Sequence, residues 1–310
     1  MGIARMLMPL WLLLAGVLPA SSHAGTPQLQ VLDSFVIPAD KVDGVRVSEL
    51  SGLAWDEDEQ LLYAVSDRGD VFHFRLKLED GRIMAVDPVF AAKLLDSKGN
   101  ELKKKRRDSE GLAVLNAANG KPGDTQLVIS LEGEPRVVRF TPQGRAIQNI
   151  GLPRALDKKN LRHGNDGLEA VTIHPRYGVI TAPEMPLKGQ PENWHTLYST
   201  TGREWSFTAY PAENSGISAL EALPDGNLLV LERAWSGFPS PLVVSLRYLD
   251  FRQCDKGGAC TLQDLQVFSS HLLMDNYEGL THVSGNQYLL VSDDGGGDWQ
   301  RTVLTLFTLD

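Results

Sequence analysis

Ser51-Gly52-Leu53-Ala54-Trp55, Glu110-Gly111-Leu112-Ala113-Val114, Glu169-Ala170-Val171-Thr172-Ile173, Ser218-Ala219-Leu220-Glu221-Ala222 and Glu278-Gly279-Leu280-Thr281-His282 are five versions of one motif: Ser or Glu, a small residue, then an aliphatic one. Recurrence at a fixed period signals one supersecondary unit stacked on copies of itself. The intervals between successive openings are 59, 59, 49 and 60 residues. Counted from Glu278 to the C-terminus and on from Gly25 to Ser51, the interval is again 59. The third and fourth copies also share their approach, since Asn165-Asp166-Gly167-Leu168-Glu169 lines up with Asn214-Ser215-Gly216-Ile217-Ser218 without a gap.

Each opening leads through a turn to a second apolar run ending in an acid: Leu61 to Asp67, Gln126 to Glu132, Gly178 to Glu184, Asn227 to Glu232 and Gln287 to Asp293. Short runs rich in Val, Leu, Ile and Tyr, bounded by Gly, Asn, Asp and Pro, read as strands. Two further runs complete each of the first four units: Val71 to Leu78 and Arg82 to Phe90, Arg136 to Phe140 and Ala146 to Ile150, His195 to Ser199 and Glu204 to Tyr210, Pro241 to Leu249 and Leu262 to Phe268. Four strands per repeat is the size of a propeller blade. The last copy has three, ending with Arg301 to Leu309, while an extra strand, Leu29 to Pro38, precedes the first copy. The sequence therefore predicts an all-β, five-bladed β-propeller of four-stranded antiparallel blades, closed by the N-terminal strand joining the last blade. A six-bladed ring leaves a remainder, and a β-sandwich does not call for evenly spaced copies of one motif.

The N-terminus is a separate matter. Arg5 precedes an apolar run from Leu7 to Leu18, with small residues at Ser22 and Ala24. This is the pattern of a cleavable signal peptide over residues 1–24, and the run falls short of the ~20 residues that a membrane span needs. An uncleaved anchor is the alternative. The expected mature chain is one propeller domain, residues 25–310, periplasmic or secreted, with no membrane span and monomeric. Cys254 and Cys260 enclose five residues between two strand-like runs, and in an oxidising compartment they are expected to pair as a local staple. The full chain carries 30 basic and 39 acidic side chains, a formal charge of −9, which argues against a nucleic-acid partner.

In a propeller the first strand of each blade lines the axis. Ser51, Glu110, Glu169, Ser218 and Glu278 are thus expected in one ring at the channel mouth, with Asp67, Glu132, Glu184, Glu232 and Asp293 around it. Converging carboxylates raise one another's pKa unless a cation compensates them. Oxygen ligands without His or Cys suit calcium better than zinc. The ring is therefore a candidate Ca2+ site, and Asp293-Asp294-Gly295-Gly296-Gly297-Asp298 adds an acidic loop beside it. A purely structural reading is that each Ser or Glu caps backbone at a blade junction. Basic residues fall on the same face, in Lys103-Lys104-Lys105-Arg106-Arg107, Arg162-His163, and at Arg68, Arg136 and Arg233. A cation with guanidinium groups at the rim suits a small anionic, phosphorylated substrate. On this reading Asp67, Glu132, Glu184 and Asp293 position water, His163 serves as acid or base, and Arg68, Arg107, Arg136, Arg162 and Arg233 bind substrate. A solvated charge run, or arginines paired with neighbouring acids, is the plainer alternative. Other templates are absent: neither Ser109 nor Ser130 has a Gly-x-Ser-x-Gly context, and there is no phosphate loop, dinucleotide fingerprint or His-Glu-x-x-His. His174, His195, His271 and His282 are scattered and read as structural.

At Glu49-Leu50-Ser51-Gly52-Leu53, Asp108-Ser109-Glu110-Gly111-Leu112, Tyr277-Glu278-Gly279-Leu280 and through Asn214 to Arg233, the chain resembles the secreted bacterial family labelled "esterase-like activity of phytase". The order Ser, Glu, Glu, Ser, Glu also resembles the calcium-activated apyrases, five-bladed propellers with one calcium ligand per blade. That resemblance implies calcium ligation at Ser51, Glu110, Glu169, Ser218 and Glu278, and hydrolysis of a phosphate ester or anhydride by water bound or oriented by the metal. The aspartate-rich motifs of six-bladed β-propeller phytases are absent. Two functions are therefore carried forward: a calcium-dependent hydrolase, and a non-catalytic calcium-stabilised propeller that binds a periplasmic ligand or partner.

Overall fold

The second strand of each repeat is apolar at nearly every position, the pattern of a strand covered on both faces. The computed structural model, which describes residues 27–163, 167–237, 239–270, 275–297 and 300–310, gives the reason. In the second strand of the first blade, Leu62 and Ala64 pack toward the fifth blade while Tyr63 and Val65 pack toward the second. Side chains alternate across the pleat, so a single strand feeds two interfaces. Five apolar clusters result, one between each neighbouring pair of blades.

The blades are four-stranded antiparallel sheets in simple meander order. The first comprises Leu50–Asp56, Leu61–Ser66, Asp70–Glu79 and Arg82–Lys93, and the second Ser109–Leu115, Gln126–Leu131, Arg136–Phe140 and Ala146–Ile150. The third is Leu168–His174, Gly178–Pro183, Trp194–Ser199 and Glu204–Thr208, and the fourth is Ser215–Ala222, Leu228–Ala234, Leu242–Leu249 and Gln263–Ser270. The fifth blade has Asn276–Ser284, Gln287–Asp293 and Val303–Leu309 from the C-terminal end of the chain. Its outer strand is the N-terminal Leu29–Val36, paired antiparallel to Val303–Leu309 from Leu29 opposite Leu309 to Val36 opposite Val303. The ring is thereby closed by the two ends of the chain, and the outer edge of the last blade's C-terminal strand is covered.

Arg136–Phe140 and Ala146–Ile150 match the sequence expectation at both ends, and other strand ends differ from it by up to three residues, as in Arg82–Lys93, which runs on past Phe90. Cys254 and Cys260 form a disulfide between the third and fourth strands of the fourth blade. Among the described residues no helix is long and apolar enough to cross a membrane. The expected signal segment, together with Asn165, Asp166, His271 and Asp298, lies outside the described residues.

Inner strands pack one on the next around the axis, and the small second residue of the motif is what lets them meet. A Cβ on Gly52 would stand 2.5 Å from the Glu110 carbonyl oxygen, and one on Gly111 would stand 2.6 Å from the Val171 nitrogen. A Cβ on Gly279 would lie 3.1 Å from the Leu53 nitrogen. The first residue of the motif has its own signature: in all five blades the register shifts there, between Leu50 and Gly52, Ser109 and Leu112, Leu168 and Ala170, Ile217 and Ala219, and Tyr277 and Gly279. A bulge leaves one residue unpaired and re-aims its side chain. Gly52→Ala is expected to destabilise the protein by about 1–3 kcal/mol through overpacking. Gly151→Ala, where an added Cβ meets nothing within 4 Å, is the control and should stay within about 0.5 kcal/mol of the parent in urea unfolding.

Candidate functional site

The five bulges sit at the upper end of the channel and carry Ser51, Glu110, Glu169, Ser218 and Glu278. Two residues before them stand Glu49, Asp108, Gly167, Gly216 and Asn276. A third tier comes from the neighbouring strand. Leu50, Ser109, Leu168, Ile217 and Tyr277 face Ser66, Leu131, Pro183, Glu232 and Ser292, and the next residue in each case is Asp67, Glu132, Glu184, Arg233 and Asp293.

This register corrects the expectation for the fourth blade. Glu232 is one residue short of the tier, and a one-residue step moves a side chain to the other face of the strand. There it is 1% exposed, accepts the Tyr210 N–H at 2.9 Å and pairs with the Arg247 guanidinium at 2.8 Å. Arg233 takes the place that the other four blades give to an acid. Its guanidinium pairs with Glu278 at 2.7 Å and Glu184 at 3.2 Å, so it belongs to the interior of the acid cluster and not to a rim.

Glycines decide how far the third tier reaches. A Cβ on Gly167 would fall 2.5 Å from the Glu132 Cγ, and one on Gly216 would fall 2.8 Å from the Glu184 Cγ. Glu132 and Glu184 therefore lean over the next blade into space that a side chain would fill. Two groups of carboxylates follow, Asp108 with Glu110 and Glu132, and Glu132 with Glu169 and Glu184, each with ligand oxygens within 4.8 Å of one another. Glu132 belongs to both. On the other side of the mouth, Asn276 Nδ2 donates to Glu278 Oε1 at 2.7 Å, while Asn276 Oδ1 and Asp67 Oδ1 are buried with no hydrogen-bond partner among the described residues.

Crowding shows in the proton affinities. Burial, with Glu278 and Asp108 as the next causes, raises the Glu110 carboxyl well above its ordinary range, and burial with Glu110 and Glu184 does the same to Glu169. Burial and the hydrogen bond with Asp108 push Glu132 up to about 8. Burial pushes Asp67 up to about 7, aided by Glu49 and Asp293, and Glu278 to about 7 against the pull of Arg233. Burial opposes the charge on Arg233, yet Glu278, Glu184 and Glu169 raise its pKa. Orphaned acceptors, all-oxygen donors and mutually raised carboxyls fit a hard divalent cation such as calcium.

The remaining candidates are dispersed. Ser51 and Ser218 are buried, with the Ser51 hydroxyl donating to the Ser109 carbonyl at 2.6 Å and the Ser218 hydroxyl to the Leu231 carbonyl at 3.5 Å. Arg68 pairs with Glu49, and Arg107 lies against the Gly69 turn beside it. Arg136 donates to the Arg106 carbonyl and lines grooves on the outer part of the second blade. Arg162 pairs with Glu192 at 3.0 Å and donates to the Gln190 carbonyl at 2.7 Å, which ties down a loop. His163 is exposed in the loop before residue 164. Asp294 holds the segment that leads into the first blade: its Oδ1 accepts from the Ser48 hydroxyl and the Glu49 N–H, both at 2.8 Å. Glu49, Asp108 and Asn276 escaped the sequence reading, although their common place two residues before the motif was visible in it.

A model of the family described as "Phytase-like: Esterase-like activity of phytase" matches residues 45–296. No curated protein matches the chain. Among solved structures it is similar to the PQQ-bound aldose sugar dehydrogenase from Streptomyces coelicolor, at 12% identity over 92% of this chain and 99% of that one, with a TM-score of 0.46. It is also similar to XC5397 from Xanthomonas campestris, described as a gluconolactonase, at 16% identity over 85% and 86% of the two chains, with a TM-score of 0.41. The Dos1 propeller is similar at 10% identity over 86% and 69%, with a TM-score of 0.40.

Two outcomes are expected of the crown. Asp67, Glu132 and Glu278 rise from 3.8, 4.5 and 4.5 to about 7, 8 and 7, so each holds its proton more tightly folded than unfolded. Their contribution is full below about pH 4 and is lost as pH rises through about 7–8. Chelated protein should thus melt lower at about pH 8 than at about pH 5, and calcium should raise the melting temperature more at the higher pH, as read by calorimetry. Arg233→Gln removes the internal cation and is expected to cost about 1–3 kcal/mol in chelator, with calcium restoring most of it.

Proposed function

The chain belongs to the phytase-like family described as esterase-like activity of phytase, and from that premise we propose that its upper face is the active site of a calcium-dependent hydrolase of phosphate esters or anhydrides. The observation that carries the reading is the pair of carboxylate groups sharing Glu132 at the mouth of the axial channel. Glu110, Glu169, Asp108, Glu132 and Glu184 are the residues to hold the cation, with Glu278 beside them. Bound calcium supplies charge stabilisation for an anionic oxygen and orients water. Asp67 and Asp293 orient and accept protons from water at the open side of the crown, Arg68 and Arg107 attract the anionic group from the rim, and His163 stands in the loop before the third blade as an acid for the leaving oxygen. The substrate is small and anionic, the protein acts as a monomer, and its compartment is the periplasm or the exterior. The Cys254–Cys260 disulfide supports an oxidising compartment.

The ion pairs of Arg233 with Glu184 and Glu278 favour a second reading, in which calcium and arginine together only stabilise the ring. Turnover on a panel of phosphomonoesters, nucleotides and carboxyl esters, with and without chelator, separates the two. The hydrolase reading expects chelator-sensitive turnover that Glu132→Gln lowers about 10- to 100-fold. A chelator-sensitive melting temperature with no turnover on any of the panel would establish the non-catalytic reading instead.

A further inference from the structure

The lower end of the channel holds a second concavity, of about 490 Å³, walled by the ends of all five inner strands and including Trp55, Val114, Ile173, Glu221 and His282. A constriction of about 10 Å³, lined among others by Ser51, Gly52, Gly111 and Glu278, lies between it and the acid crown. That space holds one water at most, so the two ends are separate sites. The volume of the lower cavity is that of a small-molecule pocket.

Glu221 breaks the repeat here. The fourth residue of the motif is Ala54, Ala113, Thr172 and Thr281 in the other four blades. Its structural task is visible at three junctions: Thr172 Oγ1 accepts the Ala222 N–H at 3.0 Å, Thr281 Oγ1 accepts the Trp55 N–H at 3.1 Å, and Glu221 Oε1 accepts the His282 N–H at 2.9 Å. Threonine suffices for that bond. Glu221 Oε2 is surplus to it, with no hydrogen-bond partner among the described residues, and burial pushes the carboxyl up to about 8.

The lining contains the carboxyl groups of Glu221 and Glu57 and neither lysine nor arginine, so once Glu221 is ionised, above about pH 8, its field favours a cation. A metal ion needs more oxygens than Glu221 offers, since calcium takes roughly six to eight, and Glu57 Oε2 already accepts the Trp55 indole N–H at 2.9 Å. An organic ammonium needs one carboxylate, an aromatic ring and an apolar wall. We propose that the lower mouth binds a small organic ammonium with a short apolar body, its N–H donating to Glu221 and its body lying against Trp55, Val114 and Ile173.

Isothermal titration at about pH 9, where Glu221 is ionised and an alkylammonium keeps its proton, with hexylammonium chloride, hexan-1-ol and hexanoate tests this. Hexylammonium is expected to bind saturably, about tenfold or more tighter than hexanol, with hexanoate not bound. Glu221→Thr, which keeps the junction bond in the form used by two other blades, should weaken hexylammonium about tenfold or more without lowering the melting temperature. Glu221→Gln provides the same comparison in a side chain of equal length, and Glu110→Gln at the upper end should leave this binding unchanged. Equal affinity for hexanol and hexylammonium, undiminished binding in a folded Glu221 variant, or no saturable binding would each overturn the proposal.

Discussion

Five strands can surround a narrow axis only if their backbones approach to contact distance, and that approach fixes both the small residue and the bulge of the repeated motif. Gly52 and Gly111 leave no room for a Cβ against the neighbouring backbone. The residue just before each small position cannot continue the ladder and turns its side chain out of register. One steric requirement thus places a side chain from every blade at the same end of the channel.

Electrostatics works against that convergence. Glu110, Glu169 and Glu278 meet at a mouth already crowded by Asp108, Glu132 and Glu184, and burial makes each charge costly. Arg233 relieves one side of the crown through Glu184 and Glu278. The other side, where Asp108, Glu110 and Glu132 converge, has no comparable cation pairing among the described residues. The asymmetry of the crown, as much as its acidity, leaves that side without a compensating charge among the described residues.

Departures from the repeat mark the informative positions. Gly167 and Gly216 admit Glu132 and Glu184 toward the axis, whereas Asn276 at the same offset fills its place and bonds Glu278. At the opposite end, a glutamate stands where alanine or threonine serves the other blades. Positions that obey the repeat hold the ring together, and positions that break it differentiate its two mouths.

The sequence by itself determined the blade count, the strand order, the closure by the N-terminal strand and the identity of the motif residue that reaches the axis, because these follow from periodicity and from the pleat. It also contained the offset that brings Asp108 and Asn276 to the site. Tertiary structure alone decided that Arg233 and not Glu232 joins the crown, that Ser51 spends its hydroxyl on a backbone carbonyl, and that Arg136 and Arg162 serve loops. The reason is physical: a bulge shifts register by one residue, which reverses the face a side chain occupies, and no pattern in one strand reveals which partner stands opposite it.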